Sequence, residues 1–361
     1  LLGGGKVEVD PGANAGHGDE KPAGKGEKRT LQAKNIILAT GSRPRSIPVL
    51  KIDGDRIWSS DHAVYPKEFP KSLAIIGAGA IGMEFADVYS SFGTKVTVIE
   101  ALDRVLPNED KESSAAVATS FKKRGITIHT GARLEKADVG KKGVKLTVKI
   151  GDKSETIEAE RVLVAIGRAP IIDDIGLEKA GVKTDKGFIV VDEFMQTNVP
   201  GIYAIGDCAR PPLLAHKASH EGVVAAEAIA GVAERGVDYA NIPSVTYCTP
   251  EVASVGMTED QAKEAGYDIQ VGKFPFSANG RARTAGATEG FVKIIRDKKY
   301  SEILGAHIVG PHASEMIAEF VVGRHLETTA EEMDKAMHPH PTLSEALAEA
   351  ALASLGRALH F

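Results

Sequence analysis

Residues 73–100 constrain the fold of this chain more than any other segment. They begin with the apolar run Leu73–Ile76, continue into the glycine-rich turn Gly77–Gly82, and end with the apolar run Thr94–Ile99 and the acidic Glu100. A GxGxxG motif between a buried strand and a helix, with an acid closing the next strand, is typical of a βαβ unit that binds a dinucleotide. The alternative, a glycine turn that arises by chance, is disfavoured by this context.

Each part of this unit predicts a contact with the nucleotide. Gly77, Gly79 and Gly82 permit a tight turn and a close approach of the backbone, and the N-terminus of the following helix attracts pyrophosphate. Glu100 lies 23 residues after Gly77. Its carboxylate can accept hydrogen bonds from the 2′-hydroxyl of an adenosine ribose and would repel a 2′-phosphate. We therefore expect NAD rather than NADP.

Other apolar runs predict further strands of the same kind. Lys34–Leu38, Arg161–Ile166 and Ile202–Ile205 read as buried strands that run into turns, and His216–Ala230 reads as a helix. Strand–helix–strand alternation predicts a doubly wound α/β fold. After Pro243, hairpin-like strands mix with helices, which indicates a separate α+β domain.

The segment His338–Glu345 places a histidine, His340, five residues before a carboxylate. Histidine has an ordinary pKa of about 6.5, so it can take and return a proton near neutral pH, and a neighbouring carboxylate can fix its tautomer and stabilise its cation. A structural interpretation is also available, because Pro341 precedes a helix and Thr342 with Glu345 fits a capping box. The local pattern alone leaves both interpretations open.

Composition excludes several classes of protein. Of the 361 residues, 43% are hydrophobic and 26% charged, as in ordinary globular proteins. The net charge of -5 gives no reason to expect nucleic acid or an anionic membrane as a partner, and the most apolar stretch, Val223–Val232, is too short to span a bilayer. Two cysteines argue against a disulfide framework and favour the cytoplasm. The histidines show no spacing typical of metal ligands.

Together these residues resemble a known family, the flavin-dependent pyridine nucleotide-disulfide oxidoreductases, from about Leu31 to the end of the sequence. Within that family the chain is most similar to the branch that oxidises dihydrolipoamide, because His340 lies within His-Pro-Thr-Leu-Ser-Glu. Several blocks in the family's order carry the resemblance; they are Ala39–Gly41, Gly77–Gly82 with Glu84, Ala165–Arg168, Ile202–Asp207, Leu213–His216, Pro243–Gly256 and His338–Glu345.

The resemblance implies a fold class and a division into domains. The fold is expected to be α/β, with two Rossmann-like dinucleotide-binding domains, the FAD one incomplete, plus an α+β C-terminal dimerisation domain. The expected boundaries are residues 1–66 for a remnant of the FAD-binding domain, 67–190 for the NAD-binding domain, 191–242 for a return segment of the FAD-binding and central region, and 243–361 for the interface domain.

The resemblance also implies site residues. His340 would be the acid–base catalyst and Glu345 would orient it, with His338 as supporting structure. The residues expected to bind NAD are Gly77, Ala78, Gly79, Ala80, Ile81, Gly82, Met83, Glu84, Glu100 and Gly167. The residues expected to lie at FAD are Thr40, Gly41, Ser42, Asp207, Leu213, Leu214, Ala215 and His216, with Asp207 on the ribityl chain.

The implied activity is flavin-dependent oxidation of protein-bound dihydrolipoamide to lipoamide with reduction of NAD. The implied partners are a second copy of the chain, on whose disulfide the histidine acts, and the lipoyl domains and acyltransferase core of 2-oxoacid dehydrogenase complexes. A glutathione-reductase-like enzyme is one alternative, against which Glu100 speaks. A non-catalytic fragment that only binds NAD or dimerises is another.

Two family features are missing from the sequence: the redox-active cysteine pair and the GxGxxG motif of the FAD-binding domain that precedes it. The family carries two redox-active cysteines five residues apart near its N-terminus, whereas Cys208 and Cys248 are 40 residues apart and are expected to be small buried residues. The absent parts would precede residue 1 and amount to roughly 100 residues. We therefore expect this chain by itself to be inactive, to retain FAD poorly, and to aggregate through exposed strand edges.

Overall fold

The computed structural model describes residues 1–10 and 27–360, which pack into two compact units. The first unit comprises the described residues within 1–45 and 168–238, and the second comprises those within 46–167 and 239–361. This division follows packing and leaves the expected domain boundaries as predictions. No helix among the described residues is long and apolar enough to cross a membrane.

The described residues form strands and helices that we number in chain order. The strands are β1 Lys6–Val9, β2 Arg29–Gln32, β3 Ile36–Leu38, β4 Ser42–Pro44, β5 Ile57–Trp58, β6 Ser72–Ile76, β7 Lys95–Ile99, β8 Thr127–His129, β9 Ala132–Val139, β10 Val144–Ile150, β11 Lys153–Ala159, β12 Arg161–Val164, β13 Arg168–Pro170, β14 Thr184–Asp185, β15 Phe188–Ile189, β16 Ile202–Ala204, β17 Ser244–Thr246, β18 Glu251–Gly256, β19 Ile269–Pro275, β20 Phe291–Asp297 and β21 Ile303–Gly310. The helices are α1 Ser60–Val64, α2 Ala80–Ser91, α3 Lys111–Lys123, α4 Leu177–Ala180, α5 Ala215–Ala230, α6 Glu259–Glu264, α7 Gly280–Thr284, α8 Ala313–His325, α9 Ala330–Lys335 and α10 Glu345–Ser354.

The second unit contains a five-stranded parallel sheet in the order β5-β12-β6-β7-β8. Alternation along β6 explains how both faces of this sheet are buried. Leu73 and Ile75 pack with α2 and α3, whereas Ala74 and Ile76 pack against the antiparallel sheet β11-β10-β9. The carboxyl end of β6 therefore lies between those of β12 and β7, on a buried and rigid support.

A second sheet of this unit is antiparallel, in the order β17-β18-β21-β20-β19. Its apolar side chains form a core with α8 and α10, in which Phe274, Phe320 and Leu347 are fully buried. Phe291 and Val309 also join the core around α2 and α3. The parallel sheet and this five-stranded antiparallel sheet are thus joined by continuous apolar packing.

The first unit is built from pairs of strands. β3 pairs in parallel with β16, β4 pairs antiparallel with β13, and β1 and β2 form a hairpin. The parallel pair brings the turn after Leu38 and the turn after Ala204 to the same edge. Helix α5 follows the second of these turns.

The capping-box interpretation of Thr342 and Glu345 is only half right. Glu345 accepts a hydrogen bond from the Thr342 N–H, at 2.7 Å, as such a box requires. The Thr342 hydroxyl instead donates to the carbonyl oxygen of Pro339, and α10 begins at Glu345 with Ser344 as its N-cap. The second oxygen of Glu345 is bound to His340, so the segment is held by side-chain contacts rather than by an ordinary cap.

Candidate functional site

The glycine-rich turn lies at the carboxyl end of β6, between two other strand ends. Gly77 has a φ of +103°, and a Cβ there would come within 2.5 Å of the Ala165 carbonyl oxygen. A Cβ on Gly82 would overlap the Gly77 carbonyl oxygen. Only glycine therefore permits this turn and the close packing of α2 on β6.

Gly79 differs from its two neighbours in the motif. It is the N-cap of α2, and a Cβ there would meet open space. The first N–H groups of a helix lack intrahelical partners and attract anions. The open space over Gly79 therefore fits the close approach of a pyrophosphate to the backbone, as an NAD site requires.

Glu100 follows β7 and is nearly buried beside this turn. Its Oε2 accepts a hydrogen bond from the Ala78 N–H at 2.6 Å, and its Oε1 accepts one from the Leu102 N–H at 2.8 Å. Each carboxylate oxygen keeps a further acceptor site. Glu100 therefore holds the glycine turn in place, a role that the sequence did not predict, and can still accept from a ribose hydroxyl.

The other residues expected at NAD fall into two groups. Gly167, with a φ of +107°, follows β12 at the same edge of the sheet, and the backbone of residues 80–82 opens α2 there. The side chains of Ala78 and Met83, by contrast, are buried in the core, so only their backbone can face a ligand. Ile81 is partly buried against that core.

Glu84 points toward a different part of the second unit. Its Oε1 accepts a hydrogen bond from the Tyr247 N–H at 2.9 Å. Burial raises the pKa of Glu84 above its ordinary value, against the effect of that hydrogen bond. Its contact with NAD stays a prediction, and its observed contact links α2 to the segment between β17 and β18.

In the first unit, the residues expected at FAD converge on the carboxyl ends of β3 and β16. The Ser42 hydroxyl donates to Asp207 Oδ2 at 2.5 Å, and Arg168 donates to the hydroxyl and carbonyl oxygens of Ser42, both at 2.7 Å. The Thr40 hydroxyl donates to the Ile171 carbonyl oxygen at 2.6 Å, and Gly41 has a φ of +72°. Asp207 is thus held at an edge where ligands gather in parallel sheets.

Helix α5 begins at Ala215, directly after Leu213 and Leu214, and His216 occupies its first turn. Its first N–H groups belong to the same unit as Asp207, which fits the expected contact of this segment with a flavin. The donor and acceptor set, a carboxylate, two hydroxyl groups and a helix N-terminus, is compatible with the ribityl and ring portions of FAD.

A buried ion pair supports the Asp207 turn, and sequence reasoning missed it. Lys217 Nζ donates to the carbonyl oxygens of Gly206 and Arg210 and lies 3.1 Å from Glu221, with both side chains fully buried. Glu221 in turn accepts from the Gly206 N–H at 2.7 Å. The spacing of four residues on a helix was the available signal.

The pair His340 and Glu345 lies in the second unit. His340 Nδ1 is 2.8 Å from Glu345 Oε1, and the imidazole is 78% exposed. Partial burial of Glu345 opposes its ionisation, but hydrogen bonds from the Thr342 N–H and from His340 outweigh it and lower its pKa. The site therefore presents an accessible imidazole ring backed by an ionised carboxylate.

His338 has the opposite environment. Its side chain is nearly buried, and its two ring nitrogens lie 2.7 Å from Glu319 Oε1 and 3.0 Å from the Ala336 carbonyl oxygen. Nothing in the sequence links Glu319 to His338, which is 19 residues further along the chain. The two histidines are only two residues apart in the sequence, yet one is nearly buried and the other is exposed.

Both halves of the chain match models of a known protein family. The model of pyridine nucleotide-disulphide oxidoreductases matches residues 1–222, and the dimerisation domain of the same family matches residues 242–351. The chain belongs to the pyridine nucleotide-disulphide oxidoreductases. The predicted family and fold class are therefore confirmed.

Relatives of this oxidoreductase share almost half of its sequence. A dihydrolipoyl dehydrogenase of Zymomonas mobilis is 48% identical over 99% of this chain and 78% of its own length. One of Rhizobium etli is 49% identical over 92% of this chain and 69% of its own length. These enzymes use FAD and NAD, which confirms the predicted cofactors at the level of the family.

Solved structures agree with the fold of this oxidoreductase. LpdA of Mycobacterium tuberculosis superposes with a TM-score of 0.84 at 30% identity, covering 90% of this chain and 71% of that protein. The HOCl-induced flavoprotein disulfide reductase RclA of Escherichia coli superposes with a TM-score of 0.86 at 28% identity, covering 97% of this chain and 76% of that protein.

The dimerisation domain supports the predicted homodimer of this oxidoreductase. Cys208 and Cys248 are both buried and unpaired with each other, as expected, and burial raises the pKa of the Cys248 thiol. Among the described residues, no group of three or more histidine, cysteine or acidic side chains could hold a metal ion.

Proposed function

We propose that this oxidoreductase acts as a dihydrolipoyl dehydrogenase, in the reaction dihydrolipoamide + NAD⁺ → lipoamide + NADH + H⁺. The observation that carries the proposal is the exposed imidazole of His340 paired with Glu345. The relatives that share almost half of the sequence carry this name. Bound FAD and NAD would supply the two-electron redox chemistry.

His340 would act as the general base for the dithiol. With its Nδ1–H donated to Glu345, the Nε2 lone pair is free to take a proton. Removal of the thiol proton would produce the thiolate, which would attack the redox-active cysteine disulfide of the family, a pair that residues 1–361 do not contain. The second thiol of dihydrolipoamide would then displace the mixed disulfide, which releases lipoamide and leaves the cysteine pair reduced. The carboxylate of Glu345 then stabilises the imidazolium and holds the ring in place for return of the proton.

The nucleotide would be held by the glycine turn and Glu100. The helix start at Gly79 and Ala80 would face the pyrophosphate, and Glu100 would accept from the ribose and disfavour a 2′-phosphate. Asp207, with Ser42 behind it, would bind the ribityl chain of FAD. The natural partners would be a second copy of the chain and the lipoyl domains of a 2-oxoacid dehydrogenase complex.

The test replaces His340 with Gln in flavin-loaded enzyme that includes the redox-active cysteine pair of the family, because the chain by itself is expected to be inactive. We expect oxidation of dihydrolipoamide to fall by about 10²–10⁴-fold, the usual contribution of a general base. Oxidation of NADH by an artificial acceptor that bypasses the dithiol step should keep its rate. Both rates are measured by the absorbance of NADH.

The matched control is His325→Gln, at the exposed C-terminal end of α8, which should leave both rates unchanged. Equal loss of both activities in His340→Gln would contradict the role of His340. Retention of both would favour a protein that binds NAD without dithiol chemistry at this histidine.

A further inference from the structure

The nearly buried histidine of the C-terminal segment has contacts that determine its charge. The ring of His338 lies between Glu319 Oε1, at 2.7 Å, and the carbonyl oxygen of Ala336, at 3.0 Å, with only 9% of the side chain exposed. Both partners are acceptors. A neutral imidazole carries a single N–H and can donate to only one of them, whereas the imidazolium donates to both.

The charges around His338 favour the imidazolium form. Glu319 faces it from α8 by a hydrogen bond, and Glu345 from α10 through its charge, while the loop itself contributes the carbonyl of Ala336. The hydrogen bond to Glu319 raises the pKa of His338, against the opposing effect of burial. The positive charge of His338 is thus matched by the carboxylates of Glu319 on α8 and Glu345 on α10.

The same contacts determine where His340 can lie. His340 belongs to the segment between α9 and α10, in which His338 is tied to α8 and Thr342 is tied to Glu345 at the start of α10. The Asn279 side chain also donates to the Thr342 carbonyl oxygen at 3.0 Å. His340 therefore sits between two anchored residues, while its own ring stays exposed.

We propose that His338 is a positioning residue, a permanent imidazolium held between Glu319 and Ala336 that sets the position of His340 for dithiol oxidation. The division of roles is chemical. His338 uses both ring nitrogens and has none left for catalysis, whereas His340 uses one and keeps the other for the substrate. The kinetic part of this inference rests on the proposed function, and the protonation state of His338 does not.

The first experiment records the ring ¹⁵N resonances of histidine in the flavin-loaded enzyme, with His338 assigned by its disappearance in His338→Gln. We expect both ring nitrogens of His338 to stay protonated above the ordinary histidine pKa of about 6.5. An unprotonated ring nitrogen at pH 7 would overturn the proposal, whatever the activity of the enzyme.

The second experiment measures dihydrolipoamide oxidation by Glu319→Gln as a function of pH. Glutamine removes the charge, so the pKa of His338 should fall toward the ordinary histidine value of about 6.5. Once the ring is neutral, its charge-assisted hydrogen bond to residue 319 is replaced by a weaker neutral one, with the glutamine NH2 as donor. We expect kcat to fall about tenfold or more relative to the unaltered enzyme at alkaline pH and less at acidic pH, because small displacements of a catalytic group are costly. KM for NAD should not change.

A purely structural role predicts a different result. Loss of packing alone would lower kcat by the same factor at every pH, and that outcome, or a kcat and pH profile equal to those of the unaltered enzyme, would overturn the positioning role. His338→Lys, which restores a cation beside Glu319, should recover part of the rate lost in His338→Gln. If His340→Gln retains dithiol oxidation, the proposed function fails, and the ¹⁵N measurement still decides the charge of His338.

Discussion

At the scale of single residues, Glu100 and Glu345 each divide two carboxylate oxygens between different partners. Glu345 binds the Thr342 N–H with one oxygen and His340 with the other. Glu100 binds two backbone N–H groups beside the glycine turn. Hydrogen bonds to a charged acceptor are stronger than neutral ones. Each carboxylate therefore stabilises the local backbone and supplies charge at a site edge.

The charge of Glu100 should set the choice of coenzyme. Replacement by Gln keeps a side-chain oxygen for one backbone N–H but removes the repulsion of a 2′-phosphate. We expect the ratio of kcat/KM for NAD over NADP to fall by about tenfold, or ~1.4 kcal/mol, which lies between the Coulomb energies of unit charges 4 Å apart in water and near a protein surface. Coenzyme kinetics in parallel with Glu158→Gln, an exposed control on β11, measure this ratio. An unchanged ratio would mean that Glu100 does not select the coenzyme.

At the scale of elements, the glycines of the turn have two different roles, one in helix packing and one in ligand binding. Gly82 lies under the Gly77 carbonyl, where any side chain would push α2 away from β6, whereas Gly79 faces open space with a φ of -73° that alanine adopts readily. Glycine at position 82 is therefore needed for the packing of α2 on β6, whereas glycine at position 79 leaves space for a ligand.

Alanine substitutions should distinguish these two constraints. Gly82→Ala should lower the free energy of unfolding by about 1–3 kcal/mol, as overpacking does. Gly79→Ala should leave stability within about 0.5 kcal/mol but weaken NADH binding, because its methyl group occupies the space over the helix N-terminus. Thermal unfolding and NADH titration by fluorescence measure the two effects. Normal NADH affinity in a folded Gly79→Ala variant would contradict the predicted pyrophosphate contact.

At the scale of the whole molecule, a buried cation links strand β20 of the antiparallel sheet to helices α3 and α6. Lys293 on β20 is 1% exposed, and its Nζ lies 3.0 Å from Asp110, 2.8 Å from Glu112 and 2.7 Å from Glu259. Asp110 is the N-cap of α3, and Glu259 begins α6. Burial opposes charge on Lys293, but the hydrogen bonds that it donates to the three carboxylates outweigh this effect and raise its pKa.

The same cluster should make stability depend on pH. Burial raises the pKa of Asp110 and Glu112, but hydrogen bonds donated by Lys293 and neighbouring groups have a larger effect and lower both. Hydrogen bonds donated by Lys263 and Lys293 lower the pKa of Glu259. The unfolded chain therefore binds more protons in acid, and stability present above about pH 5 should be lost as pH falls through 4 toward the folded-state pKa values. Burial lowers the pKa of His307, which adds a loss below about pH 6.5.

Replacement of Lys293 by Met should remove most of this behaviour. The variant leaves three carboxylates without their shared cation, and we expect a loss of about 3–5 kcal/mol near pH 7, with a flatter dependence on pH below 5. Lys111→Met, which breaks an exposed pair with Asp260, is the control and should change stability far less, because solvent screens that pair. Urea unfolding at several pH values measures both. If the stability of Lys293→Met still falls steeply in acid, the pH dependence does not arise from this cluster.

The sequence determined the elements and the motifs that depend on neighbouring residues. The βαβ unit around Gly77–Gly82, the helix after Leu214 and the pairing of His340 with Glu345 each depend on local spacing, because a helix or strand period converts directly into a shared face or edge. Fold class and family followed from these elements in order. The ends of elements differed by one or two residues: the strand expected over Lys34–Leu38 is Ile36–Leu38, and the helix expected over His216–Ala230 begins at Ala215. Such ends depend on which groups take each free N–H.

Tertiary structure alone decided the contacts between residues far apart in the chain. Glu319 beside His338, Arg168 on Ser42, and Lys293 among three carboxylates join elements whose separation in sequence carries no periodic signal. The burial of a side chain likewise depends on several elements that pack around it, and its charge state depends on that burial. The sequence therefore identified which residues could carry the chemistry, and the fold decided which of the two neighbouring histidines is exposed and which is held.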